Sequence, residues 1–133
     1  FLGICMGLQV LMTHSEENKG ADCLNVLDGK VLSMKRKMNI NLKVPHMGWN
    51  KVKQENQHPL WGNIPNESFF YFVHSYFVEP SNKLNILSTT SYNLDFASAL
   101  YKDNIAAVQF HPEKSSKMGL KLLENFINWN GEI

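Results

Sequence analysis

The sequence predicts an α/β fold, in which helices cover a central sheet and functional residues follow the C-terminal ends of strands. An apolar strand over residues 1–5 leads through a glycine-flanked turn into a helical pattern. A second strand of small and apolar residues, over 104–110, leads through a loop into an amphipathic helix. Strand-like segments fill the middle of the chain. A strand–turn–helix unit near each end is typical of α/β sheets, whose sites lie at that edge.

After the first strand, the first half of the chain is predicted to form one helix and then mostly loops and turns. Apolar residues at helical spacing predict a helix over 6–14, and the polar run at 15–25 predicts a loop. Asp28-Gly29 is a turn signal before a short strand over 30–34. Further turn signals predict a bend over 44–49 and a turn or short helical region over 59–65.

The second half is predicted to be mostly strand until its last helix. Residues 68–78 are aromatic and β-branched, which predicts one continuous strand. A further strand pair is predicted over 84–92 and 94–101. After these, Ser115 or Ser116 is placed to cap a helix. Its apolar stripe has helical period and comprises Met118, Leu122, Leu123, Phe126 and Ile127.

Size and composition indicate an ordinary globular protein. The chain has 133 residues, 44% hydrophobic and 19% charged, with a net charge of +1. This nearly balanced charge excludes a strongly basic field for nucleic acid, so we expect no nucleic-acid partner. Two cysteines make no disulfide framework, and no apolar run reaches the roughly 20 residues that span a bilayer. We therefore expect no membrane association and a cytoplasmic location.

The first residues of the chain indicate how it relates to a larger domain. Phe1 is not an initiator methionine, and it opens a strand with the apolar character of a buried central strand. Such a strand needs neighbours on both sides and cover on both faces. We expect residues 1–133 to be the C-terminal part of a single larger domain.

Cys5 is the first candidate catalytic residue. It lies in Gly3-Ile4-Cys5-Met6-Gly7, between the first strand and the predicted helix. The glycines permit a nucleophile elbow, a strained turn that projects the nucleophile beyond the sheet edge. A helix N-terminus favours the thiolate, and the Met6 N–H can point at a developing oxyanion. A buried structural cysteine is the alternative, but the two glycines favour catalysis.

His111 and Glu113 are the candidate partners of this thiol. A thiol nucleophile needs a base, and His111 directly follows the predicted strand over 104–110, at the edge where sites cluster. In extended backbone, Glu113 projects to the same side and can orient the His111 ring. Cys5, His111 and Glu113 therefore fill the three roles of a catalytic triad, although a strand-end histidine without a role is the alternative.

Other titratable residues are weaker candidates. Cys23 and the H-x-E pair lack the ligand number and spacing of a metal site, so we expect no metal and no cofactor. His74, within an apolar strand, is expected to be a hydrogen-bonded core residue. His58, before a proline turn, is expected to be exposed.

The quoted motifs together resemble the class I (triad-type) glutamine amidotransferases. The resemblance is carried by GICMG, by QFHPEKS at 109–115 and by FVHSYF at 72–77. PHMGWN at 45–50 and HPLWGNIP at 58–65 narrow it to the glutaminase subunits of imidazole glycerol phosphate synthases. It extends over nearly the whole chain. It implies a flavodoxin-like fold, with a central mostly parallel sheet flanked by helices and an added antiparallel portion.

The resemblance also implies roles for individual residues. Cys5 would attack the side-chain amide of L-glutamine, His111 would act as the base, Glu113 would orient it, and a γ-glutamyl thioester would be hydrolysed. The positions implied to bind substrate are Gln9, Glu17, Ser75 and Tyr76. Ammonia would pass to a (β/α)8-barrel cyclase subunit, the heterodimer partner, which makes imidazole glycerol phosphate and AICAR in histidine biosynthesis. The positions implied to face it are His46, Trp49, Asn50 and Lys114.

One departure from the family and three alternatives stay open. The family's N-terminal half is absent here, including the glycine-bearing strand that supplies a second oxyanion donor. We therefore expect this chain alone to lack half of its oxyanion hole. Because release of free ammonia would waste glutamine, we also expect glutaminase activity to be low without the partner. The alternatives are a paralogous subunit of a surface-sugar pathway, a catalytically silent module on the same fold, and another cysteine hydrolase such as a peptidase.

Overall fold

The computed structural model describes residues 1–38 and 43–133, which form one mixed sheet with few helices. The strands are β1 Leu2–Ile4, β2 His14–Ser15, β3 Ala21–Asp22, β4 Gly29–Ser33, β5 His46–Gln54, β6 Ser68–His74, β7 Tyr76–Pro80, β8 Ile86–Ser91, β9 Asp95–Lys102 and β10 Ile105–Val108. The α-helices are α1 Met6–Gln9, α2 Met34–Met38 and α3 Ser116–Asn128. Short 3-10 turns cover Glu17–Lys19, Pro59–Trp61, Lys83–Asn85 and Pro112–Lys114.

The sheet brings the two ends of the chain together. Its main path runs β3-β2-β4-β7-β9-β8-β5-β6, and β10 lies between β9 and β1. β1 and β10 are parallel, with Ile4 opposite Val108, so both strands end at the same edge. β2 and β4 are also parallel, and the other pairings among the described residues are antiparallel. The α/β class is confirmed, with antiparallel pairs outnumbering parallel ones in this part of the chain.

The two faces of the sheet carry separate hydrophobic clusters. β10 contributes to both, because Ala106 and Val108 face one cluster while Ala107 faces the other. Leu122 of α3 packs into the first cluster and Leu8 of α1 into the second. The helices therefore cover opposite faces, which fixes the shared C-terminal edge of β1 and β10 between them.

Three predicted elements differ from the structure because tertiary hydrogen bonds interrupt them. The helix predicted over 6–14 ends at Gln9, since the following carbonyls accept from the loop over 24–27. The bend predicted over 44–49 is confined to Val44 and Pro45, because β5 begins at His46 and pairs with β6 along nearly all of its length. The strand predicted over 68–78 breaks at Ser75, where β6 leaves its partner β5 and β7 begins to pair with β4.

The last helix agrees with its prediction except at two points. Leu122 is buried, whereas Ile127, predicted for the apolar stripe, is exposed. Ser115 occupies the N-cap position of α3, but its hydroxyl makes no cap hydrogen bond. None of the helices among the described residues is long and apolar enough to cross a membrane.

Candidate active site

The backbone at Cys5 has the strained conformation of an elbow. Its φ is 53° and its ψ is −103°, a left-handed region that side chains rarely adopt. The Cys5 N–H still donates to the Val108 carbonyl at 2.8 Å, which continues the pairing of β1 with β10. A Cβ on Gly3 would lie 2.5 Å from the Gly7 carbonyl oxygen, so the turn requires glycine at position 3. The predicted elbow is therefore present, and β10 holds it in place.

The environment of the thiol differs from the sequence expectation. Burial raises the pKa of Cys5, and the carboxylates of Glu113 and Glu17 raise it further. The Met6 N–H and the Gln109 amide oppose this rise but do not overcome it. A four-residue helix supplies too little dipole to favour the thiolate that we predicted. The resting group is a thiol at neutral pH and needs a base.

His111 and Glu113 form a close pair directly beyond β10. The His111 Nδ1 lies 2.8 Å from Glu113 Oε2, with the ring mostly buried and the carboxylate half-exposed. The contact arises in the 3-10 turn Pro112–Lys114, not in the extended backbone that we predicted. Because the carboxylate accepts from Nδ1–H, the neutral ring keeps Nε2 as a proton acceptor.

Strand β6 anchors the loop that carries this pair. The His111 N–H donates to the Tyr71 carbonyl at 2.9 Å. The Ser115 hydroxyl accepts from the Tyr71 N–H at 2.9 Å and donates to the His111 carbonyl at 2.6 Å. Ser115 is fully buried, and its hydroxyl holds the loop of His111 against β6 through these two hydrogen bonds. Sequence reasoning missed this role, because a serine before a helix is typical of a cap.

Two of the four predicted substrate-binding residues line one cavity. Gln9 and Glu17, together with Met6, line a cavity of about 320 Å³. Gln9 is largely buried, and its amide donates to the Tyr76 carbonyl at 3.2 Å. Ser75 sits in the break between β6 and β7 and accepts from the Met34 N–H through its carbonyl. A larger cavity of about 550 Å³ lies along β5 and β8. None of Cys5, His111 and Glu113 lines either cavity, although Met6, next to Cys5, lines the smaller one.

The predicted interface residues separate into two groups. Trp49 and Lys114 are exposed, in keeping with a contact surface. His46, in contrast to the prediction, is buried and turned inward, with its Nδ1 2.9 Å from His74 Nε2. Asn50 also points inward and donates to the Ser91 carbonyl. Positions alternate between the two faces of a strand, which places His46 and Asn50 behind Trp49 on β5.

Two histidine predictions have opposite outcomes. His74 is buried and hydrogen-bonded at both ring nitrogens, as expected of a core residue. His58 was expected to be exposed but is buried, with its Nδ1 accepting from the Leu60 N–H. Burial lowers the pKa of both rings to about 4. In the part of the chain that the structure describes, no group of three or more potential ligands could hold a metal ion.

Gln109 is the residue of the site that sequence reasoning missed. Its amide nitrogen lies 3.6 Å from the Cys5 sulfur, and its side-chain oxygen accepts from Gln9 at 3.1 Å. The signal was available in the parallel pairing of β1 with β10, whose register places Gln109 level with Cys5. Hydrogen bonds therefore link Cys5, Gln109 and Gln9, while the His111–Glu113 pair follows the neighbouring strand β10 at the same edge of the sheet.

A comparison with protein families shows the family to which the chain belongs. A model described as glutamine amidotransferase class-I matches residues 1–129. The chain belongs to the class I glutamine amidotransferases. A crystal structure of a glutamine amidotransferase from Thermotoga maritima superposes with a TM-score of 0.62 at 20% identity, covering 96% of this chain and 46% of that one. The class I amidotransferase fold expected from the sequence is thus confirmed.

Curated class I amidotransferases are more similar in sequence. The imidazole glycerol phosphate synthase subunit HisH of Hydrogenovibrio crunogenus is 55% identical over 132 residues, which are 99% of this chain and 62% of that protein. The subunit of the same name from Nitrosococcus oceani is 55% identical over 131 residues, 98% of this chain and 62% of its own length. This amidotransferase chain therefore spans a little under two thirds of the curated relatives it matches.

Proposed function

We propose that this chain carries the glutamine-hydrolysing site of an imidazole glycerol phosphate synthase, with Cys5, His111 and Glu113 as its catalytic triad. The observation that carries the proposal is the shared edge of two parallel strands. One strand ends in the strained elbow of Cys5, and its neighbour ends in the His111–Glu113 pair. The names of the most similar relatives support the biosynthetic context.

The first half of the proposed reaction transfers the glutamyl group to sulfur. His111 Nε2 takes the proton of the Cys5 thiol, while Glu113 holds the ring through Nδ1. The sulfur attacks the side-chain carbon of L-glutamine, and the Met6 N–H stabilises the charge on the amide oxygen. His111 then returns its proton to the amide nitrogen. The carbon–nitrogen bond breaks, ammonia leaves, and a γ-glutamyl thioester remains.

The second half hydrolyses the thioester. His111 removes a proton from water, and the resulting hydroxide adds to the thioester carbon. The carbon–sulfur bond breaks, the sulfur recovers the proton from His111, and glutamate is released. The sum is glutamine and water giving glutamate and ammonia, with the enzyme unchanged. Gln9 and Glu17, which line the cavity beside the elbow, would hold the amino-acid end of the substrate near the Ser75–Tyr76 break.

The proposed recipient of ammonia is a (β/α)8-barrel cyclase subunit that makes imidazole glycerol phosphate and AICAR. Its proposed contact surface is the outer face of β5 and β6, formed by Met47, Trp49, Lys51, Phe69 and Tyr71. The pairs Trp49–Tyr71 and Lys51–Phe69 lie directly opposite one another across the two strands. Met47, Trp49 and Phe69 are each about half exposed. Exposed aromatic residues on a regular face are typical interface anchors.

The proposal is tested with the full-length subunit in complex with its cyclase. We expect Cys5→Ala to abolish glutamate release from glutamine, because no other residue supplies the nucleophile. The complex should still assemble and still make imidazole glycerol phosphate from added ammonium. Cys23→Ala removes the other thiol, which lines the proposed substrate cavity, and glutamate release should persist in this variant because the nucleophile is intact. Glutamine turnover by Cys5→Ala would refute the triad assignment.

A further inference from the structure

A continuous hydrogen-bonded series of side chains begins on the inner face of β5. Asn50 Nδ2 lies 3.2 Å from His46 Nε2, and His46 Nδ1 lies 2.9 Å from His74 Nε2. His74 Nδ1 in turn lies 2.8 Å from the carbonyl oxygen of Tyr76. Both imidazole rings are buried. Stacking further confines the His46 ring, which lies 3.9 Å from the ring of Tyr92 between ring centroids.

The chemistry of the partners fixes the direction of every hydrogen bond in this series. The Tyr76 carbonyl can only accept, so His74 carries its proton on Nδ1 and accepts at Nε2. His46 must then donate from Nδ1, which leaves its Nε2 to accept from the Asn50 amide. The orientation of that amide is fixed independently, because Asn50 Oδ1 accepts from the Lys51 N–H at 2.7 Å. Burial lowers the pKa of both rings to about 4, which keeps them neutral as this pattern requires.

The same series continues to the nucleophile. The Tyr76 carbonyl that accepts from His74 also accepts from the amide nitrogen of Gln9 at 3.2 Å. Gln9 donates to Gln109, and Gln109 donates to the Cys5 sulfur. Unbroken hydrogen bonds thus lead from Asn50, directly behind the exposed Trp49, to the thiol. Such networks hold side chains in one arrangement more firmly than isolated pairs do.

We propose that His46 and His74 are positioning residues for glutamine hydrolysis. They hold the Tyr76 carbonyl in place and through it orient Gln9, which lines the substrate cavity, and Gln109, which contacts Cys5. The series begins on the inner face of β5, the strand whose outer face contributes to the proposed contact surface. The inference rests on the proposed glutaminase function, and it adds a role to two residues that touch neither the thiol nor the cavity.

The test compares His46→Phe with His58→Phe in the full-length subunit bound to its cyclase. Phenylalanine keeps the ring and its stacking but removes both nitrogens. His58 is the matched control, since it is equally buried but contacts Tyr101 and Trp129 outside the series. We expect His46→Phe to lower the glutaminase kcat about 10- to 100-fold, as small misplacements of catalytic groups do. His58→Phe should keep the wild-type kcat.

Three further measurements keep the result interpretable. His46→Asn retains a donor toward His74 and should recover most of the lost kcat. Asn50→Ala, at the less buried end of the series, replaces His46→Phe if that variant does not fold, and should lower kcat several-fold. Synthesis driven by added ammonium reports whether each complex has assembled.

The outcomes separate this inference from the proposed function. Equal kcat values for His46→Phe and His58→Phe, or an unchanged kcat in Asn50→Ala, would show that the series is only structural and overturn the inference. A wild-type complex that assembles and uses ammonium but releases no glutamate from glutamine would instead overturn the proposed function.

Discussion

Ser115→Ala tests whether β6 positions His111, the proposed catalytic base. The Ser115 hydroxyl bridges the Tyr71 N–H and the His111 carbonyl, at 2.9 and 2.6 Å. Alanine leaves that N–H without a partner in a buried position, at a cost of about 1–3 kcal/mol, and removes a second hydrogen bond worth about 1 kcal/mol. We expect the free energy of unfolding to fall by about 2–4 kcal/mol.

The same substitution should also lower activity, because the loop loses one of its two anchors on β6. The remaining anchor is the hydrogen bond from the His111 N–H to the Tyr71 carbonyl. We expect a roughly tenfold lower glutaminase kcat in the full-length complex, as small displacements of a catalytic base produce. The assay is glutamate release at a temperature where both variant and wild type are folded, with urea denaturation of the subunit reporting stability.

Ser88→Ala is the matched control for this prediction. Ser88 is also fully buried, and its hydroxyl bonds to that of Ser98 at 2.8 Å rather than to the loop of His111. The Ser98 carbonyl accepts from the Gln109 N–H, a backbone contact that the substitution leaves in place. The Ser88→Ala variant should lose a similar amount of unfolding free energy and keep the wild-type kcat. Equal kcat values for the two alanine variants would refute the reasoning, because the hydrogen bonds of Ser115 would then contribute to stability and not to the position of His111.

Three further predictions concern packing, acid stability and thiol reactivity. A Cβ on Gly119 would overlap the Pro112 carbonyl, so Gly119→Ala should destabilise the subunit by about 1–3 kcal/mol in urea denaturation; an unchanged midpoint would contradict the packing of α3. Burial lowers the pKa of His58 to about 4 in the folded protein, below the ordinary value of about 6.5. As the pH falls from about 6.5 toward 4, the His58 ring therefore binds a proton in the unfolded state but not in the folded state, and the free energy of unfolding decreases. His58→Phe should therefore reduce the loss of unfolding free energy between pH 7 and pH 5 by about 2 kcal/mol, and an unchanged slope would argue against a buried neutral ring. Because the pKa of Cys5 is raised, its alkylation by iodoacetamide in the substrate-free protein should be slow at neutral pH and accelerate above pH 9; a fast rate that is constant from pH 7 would indicate a preformed thiolate.

The sequence predicted the geometry of the proposed catalytic edge, where β1 and β10 end, because this geometry depends mostly on neighbouring residues. Glycine at position 3 and the apolar strands on either side specify the elbow of Cys5 and the end of β10, and the structure contains both. The contact between His111 and Glu113 was also expected, although a 3-10 turn produces it. These features depend on few residues that are close in the chain or on adjacent strands.

The errors lie where distant segments decide the outcome. The PHMGWN segment contains a proline and a glycine, which indicate a bend, yet pairing with β6 makes it a strand. His46 was assigned to the surface because nothing local shows that Phe72 and Tyr92 enclose its ring. The thiolate expected at Cys5 depended on a longer helix than α1, whose end is set by hydrogen bonds from a loop more than ten residues away. Such non-local contacts leave little trace in a single sequence.

Covalent labelling by the glutamine analogue diazo-oxo-norleucine tests the central claim most directly. The full-length subunit in complex with its cyclase is incubated with the analogue, and its peptides are examined by mass spectrometry. We predict a glutamyl-analogue adduct on Cys5, protection by excess L-glutamine, and no adduct on Cys23, the other thiol, which lines the same cavity but lies outside the elbow. An assembled complex in which Cys5 stays unmodified, or in which both cysteines react equally, would contradict the account.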